Sequence, residues 1–189
     1  MKNNVIVPRL LERYRQEIAP KMMEKFALKS KMAAPKIDKI VINMGVGEAL
    51  QDIKILEKVM DELAMITGQR PIMRRAKKAI SNFKIRKGLP IACKVTLRRQ
   101  KMYEFMDRLI NIAMPRIRDF RGVPDNSFDA AGNYTLGLHD QTIFPEIEFD
   151  RITHVQGMDI TFVIKNAKNT EQAKELLVMF GMPFRKDKD

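Results

Sequence analysis

Ile91-Ala92-Cys93-Lys94-Val95-Thr96-Leu97-Arg98 decides how the chain folds, because apolar and polar or small side chains alternate through it without a break. A period of two is that of a β-strand with one face in a core, so Ile91, Cys93, Val95 and Leu97 are expected inside, with Ala92, Lys94, Thr96 and Arg98 outside. The outer face is cationic, and it belongs to a longer cationic block. Residues 63–103 hold twelve basic side chains and no carboxylate, which equals the formal net charge of +12 of the whole 189-residue chain. The charge excess is therefore local. Ile72, Met73, Ile80, Phe83, Ile85 and Leu89 run through the block, whereas disordered basic arms lack the hydrophobes that offset chain entropy. Folded structure is expected here, presenting a cationic surface to an anionic partner.

Working outward, the block is preceded by a helical stripe, Ile53, Leu56, Val59, Met60, Leu63 and Ile66, with Gly68 placed to cap its C-terminus. Before that, residues 37–43 are rich in β-branched side chains and end at Met44-Gly45-Val46-Gly47, which reads as a strand and a flexible turn. Leu11, Tyr14, Ile18, Met22 and Phe26 mark an N-terminal amphipathic helix that Pro20 is expected to kink or restart; Arg9, Arg13, Lys21 and Lys25 lie on its other face. Inside the block a short strand is expected at 71–75 and a loop at 76–82. After it, Met102, Phe105, Met106, Leu109 and Ile112 predict a third helix closed by Pro115. Residues 116–146 carry Gly122, Gly132, Gly137, Pro124 and Pro145 and read as hairpins and long loops. Met158, Ile160, Phe162 and Ile164 alternate in a last strand. Asn169 or Thr170 then caps a final helix with the stripe Ala173, Leu176, Leu177 and Phe180, ended by Gly181 and Pro183. The expected class is α+β: a single domain over 1–189, with an antiparallel β-sheet packed with about four helices and long loops after the third helix.

Charge is uneven outside the block too. Residues 1–39 carry ten basic against four acidic side chains, whereas 40–62 and 104–189 are each net negative by three. That polarity suits one face on a polyanion and another face left for a different partner. Cys93 is the only cysteine, which excludes an internal disulfide. No run approaches the roughly 20 apolar residues of a membrane span, and no secretory leader is evident at the N-terminus, so a soluble cytoplasmic protein is expected.

Catalytic chemistry finds little support. His139 and His154 are the only histidines, and neither forms a zinc-type spacing with Cys93 or with the other. Gly45-Val46-Gly47 opens like a dinucleotide fingerprint, but Leu50 stands where the third glycine belongs, so a tight strand-to-helix turn is the simpler reading. Glu146, Glu148 and Asp150 alternate with Ile147 and Phe149 and are read as an acidic strand face. The loop Lys77-Lys78-Ala79-Ile80-Ser81-Asn82-Phe83-Lys84-Ile85-Arg86-Lys87 differs in kind. Its cations neutralise phosphates, Ser81 and Asn82 bond sugar or base edges, and Phe83 either stacks on an unpaired base or joins Ile80 and Ile85 in the core. RNA is favoured over DNA because no recognition-helix motif is present. Two other classes remain: a cationic protein docking on anionic membranes through its first helix, and an enzyme in which His139, His154 or the carboxylate strand meets the basic loop.

The string from Phe83 through Gly88-Leu89-Pro90 to Arg98 closely resembles the signature of the bacterial large-subunit ribosomal protein five family, the 5S rRNA-binding ribosomal proteins. Asn43-Met44-Gly45-Val46-Gly47-Glu48-Ala49, Pro115-Arg116-Ile117-Arg118-Asp119-Phe120-Arg121-Gly122 and Phe144-Pro145-Glu146-Ile147 are similar to further blocks of that family, in the same order. The resemblance implies a non-enzymatic constituent of the large ribosomal subunit, without cofactor or metal. It implies contacts with 5S rRNA and 23S rRNA in the central protuberance, and with neighbouring 5S rRNA-binding proteins. It also implies contact with the P-site tRNA, and a bridge to small-subunit ribosomal protein thirteen. By position it puts Arg9, Arg13, Asn43, Met44, Gly45, Val46, Lys94, Thr96 and Arg98 on 5S rRNA. The tRNA loop falls at 76–83, with Lys77, Lys78, Ala79, Ile80, Ser81, Asn82, Phe83, Lys84 and Arg86 as its contacts or flanks. The protein bridge falls on Arg116, Asp119, Arg121, Asp140 and Glu146 in the loop-rich region. Arg74, Ala79, Asn82, Ala92 and Arg99 depart from the residues usual in the family.

Overall fold

The alternating stretch that opens at Ile91 forms one arm of a β-hairpin in a computed structural model that describes residues 7–50, 52–147 and 155–185. Strand β1 is Lys36–Gly45, β2 Ile72–Arg75, β3 Pro90–Leu97, β4 Tyr134–Leu138 and β5 Met158–Lys165. They form one antiparallel sheet in the order β2-β3-β1-β5-β4. Four helical segments accompany it, so the architecture is α+β. The chain divides into two compact units: Met1–Ile40, Arg98–Leu136 and Thr161–Asp189 make the first, and Val41–Leu97 with Gly137–Ile160 the second.

In the second unit, alternation in β3 is realised from Cys93 on: Cys93, Val95 and Leu97 are buried and Lys94 and Thr96 keep partial exposure, whereas Ile91, expected inside, is only partly covered. Burial pushes the Cys93 thiol up to about 11 and withdraws it from thiolate chemistry. Strand β2 pairs with β3 in the register Ile72↔Lys94, Met73↔Cys93 and Arg74↔Ala92, with an irregularity between Arg74 and Arg75. The helix Ile53–Thr67 packs on β3, burying Leu56, Val59, Leu63 and Ile66. Asp52 caps it by accepting from the Lys54 N–H at 2.9 Å, and Gly68 ends it in the left-handed region at φ 63°. Ile53, the first residue of the stripe, is exposed.

In the first unit the N-terminal helix runs as Arg9–Arg13, a π-helical turn Tyr14–Ile18, and Ala19–Lys25. Pro20 does not break it. A proline clashes with the carbonyl four residues earlier, and the wider π turn just before Pro20 makes room for the ring. The third helix repeats the arrangement: Arg99–Arg108, a π turn Leu109–Ala113, then Met114–Arg116 holding Pro115. The extra residue in that turn rotates the stripe, so Ile110, Ala113 and Met114 are buried while Ile112, expected inside, is exposed. The last helix, Thr170–Phe180, is capped by Asn169 and buries Ala173, Leu176, Leu177 and Phe180. Tyr14 stacks on Phe180 with ring centroids 6.0 Å apart, joining the N-terminal and last helices. A second aromatic group places Phe128, Phe162 and Phe184 around Tyr134, whose hydroxyl donates to the Pro124 carbonyl at 2.7 Å.

Glu146 lies in a turn after the 3₁₀ segment Gln141–Ile143, which corrects the strand expected there. Glu148, Phe149, Asp150 and His154 lie outside the described residues.

Candidate nucleic-acid interface

The basic loop is the continuation of the β2–β3 hairpin. The Ala76 N–H donates to the Leu89 carbonyl and the Gly88 N–H to the Ala76 carbonyl, both at 2.9 Å, so the two arms stay paired beyond the strands. Further out, Ile80 and Ile85 exchange backbone bonds of 2.9 and 3.1 Å, and the Lys84 N–H closes a turn on the Ser81 carbonyl at 2.9 Å. Lys84 takes a left-handed conformation at φ 52° to close that turn. Arg75 donates to the Gly88 carbonyl at 3.0 Å and braces the base.

This framework holds Lys77, Lys78, Ala79, Ser81, Asn82, Lys84, Arg86 and Lys87 in solvent. Phe83 is 67% exposed and Ile80 45% exposed, so neither anchors the loop in the core. An aromatic ring held in water at the tip of a carboxylate-free hairpin suits stacking on an unpaired base. Ala76 is the only residue of 76–83 that is buried, at the hairpin base.

Lower on the hairpin, the register puts Ile72 beside Lys94 and Arg74 beside Ala92 on one face of the sheet. Gln69, Arg70, Ile72, Arg74, Lys94 and Thr96 line a shallow groove there, and Gln69 is positioned by donating to the Thr96 carbonyl at 3.2 Å. Alternation in the strand and the family resemblance singled out Lys94 and Thr96. Strand pairing brings Arg74 to them, and Gln69 and Arg70, just before β2, line the same groove.

At the turn after β1, Asn43 is half-buried and Gly45 exposed, but Met44 and Val46 are wholly buried. The side chains of Met44 and Val46 are therefore core, and a ligand meets this turn through Asn43 and the backbone. The Gly45 carbonyl already accepts from Gln156 Nε2 at 2.6 Å, and the Gln156 N–H donates to the buried Gln141 side chain at 2.6 Å.

In the first unit Arg9 makes a two-pronged pair with Asp107 at 2.6 and 3.2 Å. That hydrogen bond, and then the Asp107 charge, raises the Arg9 guanidinium above its ordinary value. Arg13 lies 3.6 Å from Glu17. Arg98, just beyond β3, donates to Asp38 at 3.0 Å, and Lys165 holds the other oxygen at 3.0 Å. The proposed bridge residues divide between the units: Arg116, Asp119 and Arg121 are exposed in the first. In the second, Asp140 caps the segment Gln141–Ile143 and Glu146 is partly exposed.

The N-terminal helix buries Leu10, Ile18 and Met22, so the apolar face a membrane-docking helix would need is occupied. Among the described residues no group of three metal-ligating side chains occurs, and no helix is long and apolar enough to cross a membrane. Fold and surface together define a class: a basic α+β protein that presents a carboxylate-free cationic hairpin to solvent. The family described as ribosomal protein L5 matches residues 30–86, and the C-terminus of the same ribosomal family, described separately, matches residues 90–184. Large ribosomal subunit protein uL5 of Clostridium acetobutylicum is 57% identical over 179 residues, covering 95% of this chain and 99% of its own. That of Caldanaerobacter subterraneus is 58% identical over 178 residues, covering 94% and 99%. The chain belongs to the ribosomal protein L5 family: it is a structural component of the large ribosomal subunit, acting in translation, and not an enzyme.

Proposed function

We propose that the chain binds 5S rRNA and helps attach it in the central protuberance, touches 23S rRNA, and reaches the P-site tRNA with the tip of the β2–β3 hairpin. The observation that carries this reading is the hairpin itself, with Lys77, Lys78, Lys84, Arg86 and Lys87 and the exposed Phe83 ring on a braced frame without a carboxylate. Phosphates are neutralised by the cations, while Phe83 and Asn82 meet unpaired bases or sugars. The turn at Asn43 and Gly45, the β3 face at Lys94 and Thr96, and Arg9, Arg13 and Arg98 of the first unit serve 5S rRNA. Arg116, Asp119 and Arg121, with Asp140 and Glu146, serve the bridge to small-subunit ribosomal protein thirteen. The net-negative charge of 104–189 favours a basic partner there.

The test compares binding of the purified chain to 5S rRNA, transfer RNA and an unrelated RNA hairpin across a salt series. A parallel variant neutralises Lys77, Lys78, Lys84 and Arg86. Preference for 5S rRNA with a steep salt dependence is expected; about 6–10 phosphate contacts cost about 10³–10⁵ in affinity between about 50 and 200 mM salt. The variant is expected to lose transfer RNA affinity more than 5S rRNA affinity. Equal affinity of the intact chain for all three RNAs would refute the reading.

A further inference from the structure

We infer that the first unit carries a second surface for an RNA phosphate backbone, formed by residues that the reading above leaves unassigned: Arg15, Lys36 and Arg99. The inference rests on the chain's being an RNA-binding ribosomal component. The N-terminal helix, the start of β1 and the start of the third helix line an open groove. Five cations edge it, Arg15, Lys36, Arg98, Arg99 and Lys101, against one carboxylate, Asp38.

That carboxylate is already committed. Lys165 and Arg98 hold its two oxygens at 3.0 Å each, and the Lys165 hydrogen bond, followed by that of Arg98, keeps it ionised below its ordinary value. Arg15, Lys36 and Arg99 have no ion pair among the described residues, so the groove gathers positive charge that nothing within it neutralises. Arg99 adds a second, independent sign. It sits at φ 53°, a left-handed conformation unfavourable for an arginine, without a side-chain hydrogen bond among the described residues in return. Local strain retained at an exposed cation points to a use outside the free chain.

The groove's form selects the occupant. It is open, Leu11, Ile37, Met102 and Tyr103 line it beside the cations, and burial pushes the Tyr103 hydroxyl up to about 12, so it stays neutral. Cations contributed by three separate elements around one open groove match the several phosphates of an RNA backbone better than one compact anion. A lipid surface is disfavoured because Leu10, Ile18 and Met22 of the adjoining helix are buried and Leu11, Tyr14 and Phe26 are partly covered, so the helix presents no fully exposed apolar face to a bilayer.

The experiment measures 5S rRNA and transfer RNA binding between about 50 and 200 mM salt for three proteins. They are the intact chain, the hairpin variant described above, and a groove variant carrying Arg15→Gln, Lys36→Gln and Arg99→Gln. If three phosphate contacts are lost, the groove variant gives up roughly 20- to 40-fold of the affinity change across that range. Its loss should add to that of the hairpin variant, since the two sets are separate. Arg99→Gly alone, which relieves the backbone, is expected to fold at least as well and lower the slope by about 0.7–0.9, whereas Arg99→Lys keeps it. An unchanged slope in both groove variants, with the intact chain still preferring 5S rRNA, overturns this inference and leaves the proposed function standing. Loss of 5S preference in the intact chain refutes the proposed function instead, and the groove is then judged by its slope on transfer RNA. Weaker binding of the groove variant to phosphatidylglycerol vesicles, with RNA slopes unchanged, would also overturn it.

Discussion

Gly122 is required by its neighbours as well as by its own backbone. It sits at φ 93°, and a Cβ there would stand 2.9 Å from both the Arg185 nitrogen and the Pro183 carbonyl oxygen. Those atoms belong to the pairing that ties residues 122–123 to the chain's last described segment, where the Val123 N–H donates to the Pro183 carbonyl at 2.8 Å and the Arg185 N–H to the Val123 carbonyl at 2.9 Å. Because the obstacle is backbone, it cannot swing aside. Gly122→Ala is expected to cost about 2 kcal/mol or more. Urea denaturation checks this, and a change below about 0.5 kcal/mol would contradict the steric account. Of the two places open to Phe83, stacking position or core, the ring takes the solvent one, and Met44 and Val46, wholly buried, leave only their backbone to an RNA at that turn.

At the scale of elements, the N-terminal and third helices share one solution to an internal proline. Each opens a π turn just ahead of it, Tyr14–Ile18 before Pro20 and Leu109–Ala113 before Pro115, and each then continues for at least a few residues. The N-terminal helix ends less well. The Leu28 N–H donates to the Met23 carbonyl at 2.9 Å, a closing bond that forces Ala27 into the left-handed region at φ 48°. Glycine is the residue suited to that position, as Gly68 and Gly181 illustrate at two other helix ends. Ala27→Gly is therefore expected to stabilise the chain by up to about 1 kcal/mol, because the relief of strain exceeds the added chain entropy. A differential scanning calorimetry trace with an unchanged or lower Tm would refute it.

Over the whole molecule, stability depends in part on carboxylates that hydrogen-bond donors, cationic or neutral, hold ionised. Asp38 is kept below its ordinary value of 3.8 first by the Lys165 hydrogen bond, Asp125 by that of Lys174, and Asp129 by that of Asn133. A carboxylate whose native value is depressed stabilises the fold fully above its unfolded value and loses that contribution as pH falls through the native one. Tm should therefore hold down to about pH 5 and fall below about pH 4. Asp38→Asn should start less stable and fall less steeply on acidification; an acid slope equal to that of the intact chain would rule out this role. Much of this architecture is legible in the sequence. Alternation in 91–98 and 158–164, the stripes at 53–66 and 173–180, and the glycine caps are readable because each depends on residues a few positions apart. The charge block and the family strings are likewise properties of neighbours along the chain. Tertiary structure alone decided which side chains are covered: that Phe83 and Ile80 are exposed, and that strand pairing brings Arg74 to the face of Lys94. It also decided that Ile112 is turned outward by a π turn, and that Arg15, Lys36 and Arg99 share one groove. Local periodicity sets the shape of an element, but burial and clustering depend on segments distant in sequence, which only the packed chain brings together.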